Sequence, residues 1–510
     1  MLKTINGNNK SKYLLTLLIL HLVFFSVFFN ERVNSDGILY FANLHTMFFD
    51  NDLDLTNQLE ERPFYRFDTE LKTPTGLAHG IQTIGSSLLN APFFLIAHTI
   101  TTVNEVPQEG GYSQIYTGFF NLGSVVYSFF GNILLFYALS GKFRNKIAFL
   151  TTITIFFSSS IFYYSFLEPS MSHAHSYFAS SLLVYFYLRL RETSSKKYWG
   201  LMGIATGLSI LVRLTSFVFV LLPILDVIFF KRQKNKKLLI GNLAIFVFFI
   251  IVVFSPQMMY WNFLYGVPIP IPSPIEQYYE QAIQKNQVYL LPGDEEPRTK
   301  FYDFSNTHIL EFLFSENRGV FTWHPVYLFS IIGVYFLCRK DRTGILISIM
   351  TAIIFFIHAS SWDAATAGGS SFGQRRIADI TPFLAIGLAY LFEKWIQSRY
   401  KTIISLSIFV LIFWNFYFVL VFFWERLIRD RWEFSFNNAV LNNFVNLPIY
   451  LETQISKSTV LYHTKIWFGM AKNSDPTIWI LVWISPVLFL IFLLYIEKVL
   501  TFYNPFKNRT

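Results

Sequence analysis

The chain has 510 residues, 53% of them hydrophobic and 14% charged, where an ordinary soluble domain carries about 25% charge. Its formal charge of +9 sits in short clusters between apolar runs, not on a soluble basic face, which excludes nucleic acid as a partner. One cysteine, Cys338, excludes an intrachain disulfide framework, and an all-α polytopic membrane protein is the class that remains.

The first apolar run, 13–30, follows a Lys-containing head. No small-residue cleavage site comes after it, so it reads as a retained anchor. Further spans are predicted at 115–140, 147–167, 173–189, 199–213, 215–230, 238–262, 323–338, 343–358, 377–392, 402–424 and 477–496, about twelve in all. The apolar block 199–230 is divided at Arg213 because a charge at mid-membrane is costly.

Sidedness follows from the positive clusters. Lys142/Arg144/Lys146, Arg189/Arg191/Lys196/Lys197, the 231–237 run, Arg339/Lys340/Arg342 and Lys394/Arg399/Lys401 all fall on one side, which is then cytoplasmic, as are both termini. The other side receives the loops 31–114, 264–322, 360–376 and 425–476. Segment 84–103 has the length of a span, but counting it would place the 231–237 cluster outside. It is therefore expected to lie in the outer interface, with a second short interfacial helix at 41–49. The Pro repeat in 268–281 reads as extended and then helical, and 291–300 as an exposed turn.

This topology brings distant polar groups to one surface. Asp36 lies six residues past the first apolar run. As a general base it would deprotonate an acceptor hydroxyl attacking a glycosyl donor; otherwise it is a loop carboxylate beside a turn glycine. Glu168, in EPSMSHAHSY, is a second candidate catalytic carboxylate that would orient the acceptor or Asp36. Arg375 and Arg376 suit a leaving phosphate, and Arg213 offers a further phosphate contact or a helix cap. His173 and His175 would not share a face in a helix. With Glu168 they are the alternative site for a divalent metal, although hydrogen bonding at a wet helix end is favoured and no cofactor is expected. Trp362, beside Asp363, is placed to stack on a sugar or to join the interfacial aromatic belt. Gly368, Gly369 and Gly373 permit close approach, but no strand and no GK[ST] frame them as a nucleotide loop.

The pieces SDGILYFANLHTMFFDNDLDL, EPSMSHAHSYF, GIATGLSILVRLTS and GGSSFGQRRIADITPFLAIGLA resemble membrane glycosyltransferases of the GT-C superfamily, in the bacterial branch related to protein O-mannosyltransferases and lipid A aminoarabinose transferases. With the order of spans, the resemblance covers most of 1–400 as a catalytic module. Residues 401–510 form a C-terminal membrane region that matches nothing specific. The resemblance implies a bacterial inner-membrane enzyme with a polyprenyl-phosphate sugar donor and an extracytoplasmic acceptor. It also implies a catalytic Asp in the first outer loop, the place of Asp36, and an arginine-bearing loop, here 360–376. Two features depart from the O-mannosyltransferases: Gly37 stands where a second acid often follows the Asp, and the 264–322 loop is too short for a β-trefoil. A transporter or flippase of lipid-linked sugars is the competing class, but that would place polar groups at mid-membrane.

Overall fold

The computed structural model describes residues 7–61, 72–80, 82–103, 109–193, 195–230, 236–271, 302–361, 371–396, 401–424 and 443–461. Among these residues the regular structure is helical, with only two isolated β-bridges. The 272–301 and 425–442 stretches, including most of 268–281 and all of 291–300, lie outside the described residues, as does the expected span 477–496.

The chain opens with α1 (Gly7–Phe28), whose 22 residues reach about 33 Å, enough to cross a bilayer. From Tyr13 on it is largely apolar and leaves Leu15, Ile19 and Leu22 exposed, which suits a lipid-facing helix. The first long loop holds α2 (Gly37–His45), which continues as a π-turn to Asp50, then α3 (Thr56–Glu61) and α4 (Gly85–Val103). The 41–49 segment is thus helical as expected. The 84–103 segment is one continuous 19-residue helix that meets the length and hydropathy of a span.

Next come α5 (Gln114–Ser140), α6 (Asn145–Phe157), α7 (Ser160–Phe166), α8 (His173–Thr193) and α9 (Lys196–Val212). The expected single span 147–167 is in fact two helices, α6 and α7, bent by 70°. The physical cause is Ser158–Ser159–Ser160 together with a distant amide. Ser159 is extended and its Oγ accepts from the Ile161 N–H, while Asn415 Nδ2 donates to the carbonyls of Phe157 (2.8 Å) and Ser159 (3.1 Å). The freed backbone groups of a broken membrane helix are thereby satisfied inside the protein. The division at Arg213 is present: Arg213 is extended (φ −149°, ψ 121°), followed by a 3₁₀ turn, Leu214–Val220, and α10 (Leu221–Phe230).

The long α11 (Lys236–Tyr265) packs along α9. After α11 come α12 (Ile309–Phe314), α13 (Val320–Trp323), α14 (Val326–Cys338) and α15 (Thr343–Ala359). A 3₁₀ turn, Arg375–Ala378, leads into α16 (Thr381–Ile396), then α17 (Lys401–Trp424) and α18 (Leu447–Ser456). One continuous apolar core joins α1, α5 to α8 and α14 to α17. Among the described residues, five helices are long and apolar enough to cross a membrane, or six if α6 and α7 make one bent span. The protein is a multi-pass membrane protein.

Candidate active site

The strap after α1 is pinned before it reaches Asp36. The Asn30 N–H donates to the Phe166 carbonyl and its side-chain amide to the Leu167 carbonyl, both at 2.9 Å, while Asn121 Nδ2 donates to the carbonyls of Asn30 and Arg32. Residues 30–36 therefore lie across the end of α7. Ser35 takes a left-handed φ of 53°, and its hydroxyl donates to Glu168 at 2.6 Å. Asp36 sits at the N-cap of α2, yet its side chain makes no capping bond; its carboxylate meets Arg375 at 3.4 Å. Gly37 has a steric reason. A Cβ there would stand 2.1 Å from Ser170 Oγ, and that hydroxyl is bonded to both the N–H and the carbonyl of Asn34. A second acid after Asp36 is incompatible with this close docking.

The arginines come from three other places. Arg213, where the chain is extended between α9 and the 3₁₀ turn, donates to His173 Nδ1 at 2.7 Å at the start of α8. Arg375 and Arg376 lie on the 3₁₀ turn before α16, and Arg376 donates to the Ser361 hydroxyl. Gly373, with φ of 55°, lets the backbone turn against His324: a Cβ there would stand 2.0 Å from His324 Nε2. Tyr164 holds the same turn, its hydroxyl accepting from the Phe372 N–H at 2.9 Å while its ring lies 4.4 Å from that of His173.

Electrostatics tie these groups into one centre. Burial and then the Asp36 charge push the Tyr40 hydroxyl up to about 12, against a hydrogen bond with Ser172 and the charges of Arg213 and Arg375. Tyr40 thus senses Asp36, Arg213 and Arg375 together. Tyr164 lies in the fields of Glu168, Arg375 and Arg318, and His173 in those of Arg213, Arg375 and Arg376. Asp36, Glu168, Arg213, Arg375, Arg376 and His173 are gathered at one end of the bundle.

His175 is not part of this centre. Two positions along a helix rotate a side chain by about 200°, and His175 Nε2 instead meets Asn90 on α4 at 2.9 Å. The metal alternative built on Glu168, His173 and His175 does not assemble: Glu168 takes the Ser35 hydroxyl, His173 takes Arg213 and His175 takes Asn90. Among the described residues no group of three His, Cys, Asp or Glu side chains is arranged to hold a metal ion. Trp362 and Asp363 lie outside the described residues.

Two residues of this centre escape the sequence reading. Arg318 is fully buried in a left-handed conformation (φ 73°) and donates to the Ser371 carbonyl at 2.5 Å and to Asn317 at 2.6 Å. Asp379 is fully buried and accepts from the hydroxyls of Thr215 (3.3 Å) and Ser216 (3.2 Å). The available signal for Asp379 was an acid inside an apolar stretch, four residues after Arg375.

Residues 88–278 match the sequence model of the Alg9-like mannosyltransferase family. Among curated proteins, none matches the sequence. The fold is similar to that of ArnT from Cupriavidus metallidurans bound to undecaprenyl phosphate, with a TM-score of 0.50 and 11% identity, over 89% of this chain and 75% of that one. It is also similar to the archaeal oligosaccharyltransferase AglB from Archaeoglobus fulgidus, in complex with an inhibitory peptide and a dolichol-phosphate, with a TM-score of 0.50 and 11% identity. That likeness covers 81% of this chain and 56% of AglB, so the chain spans little more than half of AglB's length. At such identity both likenesses concern the fold. The matching mannosyltransferase family differs from the branches that the motifs resemble, within one superfamily. The chain has the fold of the GT-C membrane glycosyltransferases, and over residues 88–278 it matches one mannosyltransferase family of that superfamily.

Proposed function

We propose that the protein transfers a sugar, with inversion, from a polyprenyl-phosphate donor to an acceptor hydroxyl on the extracytoplasmic side of a bacterial inner membrane. The observation that carries this reading is the contact of Asp36 with Arg375, which sets a carboxylate and a phosphate-seeking guanidinium side by side among further arginines. In the proposed step the acceptor O–H gives its proton to Asp36 and the acceptor oxygen forms a bond to the anomeric carbon. The bond from that carbon to the phosphate oxygen breaks, and its electron pair leaves with the polyprenyl phosphate. Phosphate needs little protonation to leave, so the positive charges of Arg375, Arg376 and Arg213 take the place of a general acid. Glu168, bonded to Ser35, holds the strap that presents Asp36. The lipid phosphates in the ArnT and AglB structures agree in class with this donor.

The test supplies purified protein with a synthetic polyprenyl-phosphate sugar or with a nucleotide sugar, and determines the anomeric configuration of the product. Transfer from the lipid donor alone, with inversion, is expected. Retention would overturn the single-displacement step, and transfer from the nucleotide sugar alone would overturn the donor class. Sidedness is checked by thiol labelling of Val103→Cys at the end of α4 and Lys142→Cys after α5. The interfacial placement of α4 requires Val103→Cys to label from outside and Lys142→Cys from the cytoplasm; labelling of Val103→Cys from the cytoplasm, or of Lys142→Cys from outside, would overturn it.

A further inference from the structure

We infer that Asp379 is the positioning residue for Arg213, holding that guanidinium where a lipid phosphate is bound; the inference rests on the phosphate-lipid reading above. A connected set of bonds links the two. Asp379 Oδ2 accepts from the Thr215 and Ser216 hydroxyls at 3.3 and 3.2 Å. The Ser216 N–H donates to the Arg213 carbonyl at 3.0 Å, and the Arg213 N–H donates to Ser209 at the last turn of α9 at 2.9 Å. The Arg213 guanidinium then reaches His173 Nδ1 at 2.7 Å. The extended residue between α9 and the 3₁₀ turn is therefore held from both sides.

The setting makes a purely structural carboxylate expensive. Ile377, Ala378 and Ile380 around it are fully buried, and Asp379 Oδ1 has no hydrogen-bond partner. A buried carboxylate held by two hydroxyls and the Ile380 N–H is unfavourable unless an opposite charge compensates it, and Asp379 and Arg213 do act on each other electrostatically. Asp379 also lies four residues after Arg375. One turn of chain thus carries Arg375 and, through two hydroxyls, sets Arg213 on a separate segment. The spacing between two phosphate-seeking groups becomes a property of the 375–379 turn.

The experiment measures binding of undecaprenyl phosphate and of uncharged undecaprenol to the full chain in detergent. The proteins are wild type, Asp379→Asn, Thr215→Val/Ser216→Ala, Arg213→Ala, and Arg213→Ala/Asp379→Asn. Asparagine still accepts from both hydroxyls, so Asp379→Asn isolates the charge. Asp379→Asn and the hydroxyl-free variant are each expected to weaken undecaprenyl phosphate binding about tenfold and to leave undecaprenol binding unchanged. Adding Asp379→Asn to Arg213→Ala should cost nothing further. Wild-type affinity in both variants, equal loss for both lipids, or losses that multiply in the double variant would overturn the inference. If Asp379→Asn does not fold, the hydroxyl-free variant decides by the same comparison. Wild-type protein with no preference for the phosphorylated lipid would remove the phosphate-lipid reading itself; a wild-type preference that Asp379→Asn leaves intact removes only the role of Asp379.

Discussion

Both ends of the helical bundle are rich in arginine, but the arginines are used differently. α8 carries His173 at one end and Arg191 near the other, and α16 follows Arg376 and ends beyond Glu393. At the Arg191 end, carboxylates brace the bundle. Arg191 lies 3.6 Å from both Asp226 and Asp341, Arg144 lies 2.7 Å from Glu393, and Lys142 lies 3.8 Å from Asp341. These pairs join α8 to α10, the turn between α5 and α6 to α16, and both α8 and that turn to the turn between α14 and α15. At the Asp36 end, Arg213 rests on an imidazole nitrogen, Arg318 on a carbonyl and an amide oxygen, and Arg376 on a hydroxyl. Neutral acceptors bind a guanidinium more weakly than an anion does. One end is therefore cross-linked between helices by its carboxylates, whereas at the other Asp36 meets Arg375 at 3.4 Å and Arg213, Arg318 and Arg376 also donate to neutral acceptors that a phosphate could outcompete.

The largest effect that would test this contrast is at Asp36. Asp36→Asn keeps the shape but removes the base, so turnover should fall about 10²- to 10⁴-fold while lipid-donor binding survives. Lost binding with intact turnover per bound donor would make Asp36 structural. Next is Arg375. Arg375→Lys keeps the charge but loses the bidentate fork, and transfer should fall roughly 10- to 100-fold, with Arg375→Ala at least as low. Wild-type transfer by both variants would remove Arg375 from phosphate recognition.

The braced end should respond in stability instead. Arg191 is 6% exposed, and Arg191→Ala leaves Asp226 and Asp341 without it. A loss of about 2 kcal/mol in unfolding free energy is expected, with unchanged affinity for the lipid donor. A tenfold change in that affinity would mean the two ends are not separable. The smallest effect is in acid. Burial alone would raise the Asp341 carboxyl, but the Thr343 N–H and hydroxyl, with Arg191 and Lys142, lower it below the ordinary value. Its stabilising contribution is therefore full above the ordinary carboxylate pKa and is lost as pH falls below it. Unfolding midpoints taken from neutral pH down to about 3 should fall further for wild type than for Asp341→Asn; parallel curves would show that the brace carries no pH dependence.

Local pattern was enough to determine the helical class, the division at Arg213 and the chain positions of Asp36, Glu168, Arg213, Arg375 and Arg376. Each follows from one segment's hydropathy or from a charge that the membrane interior will not tolerate. The rest depended on partners far along the chain. The α6–α7 bend needs Asn415, more than 250 residues away in sequence, and no window around 158–160 contains it. Gly37 reads as an ordinary turn residue until Ser170 is seen against it. His173 and His175 part because a helix sends neighbours two apart to opposite faces, but which of them meets Arg213 and which meets Asn90 is set by how α8 lies between its neighbours. Arg318 and Asp379 acquire meaning only through Ser371, Thr215 and Ser216 on other segments. Hydropathy and charge are sums over neighbours in sequence, whereas hydrogen bonds are short-range in space, so only the packed chain decides which polar groups meet.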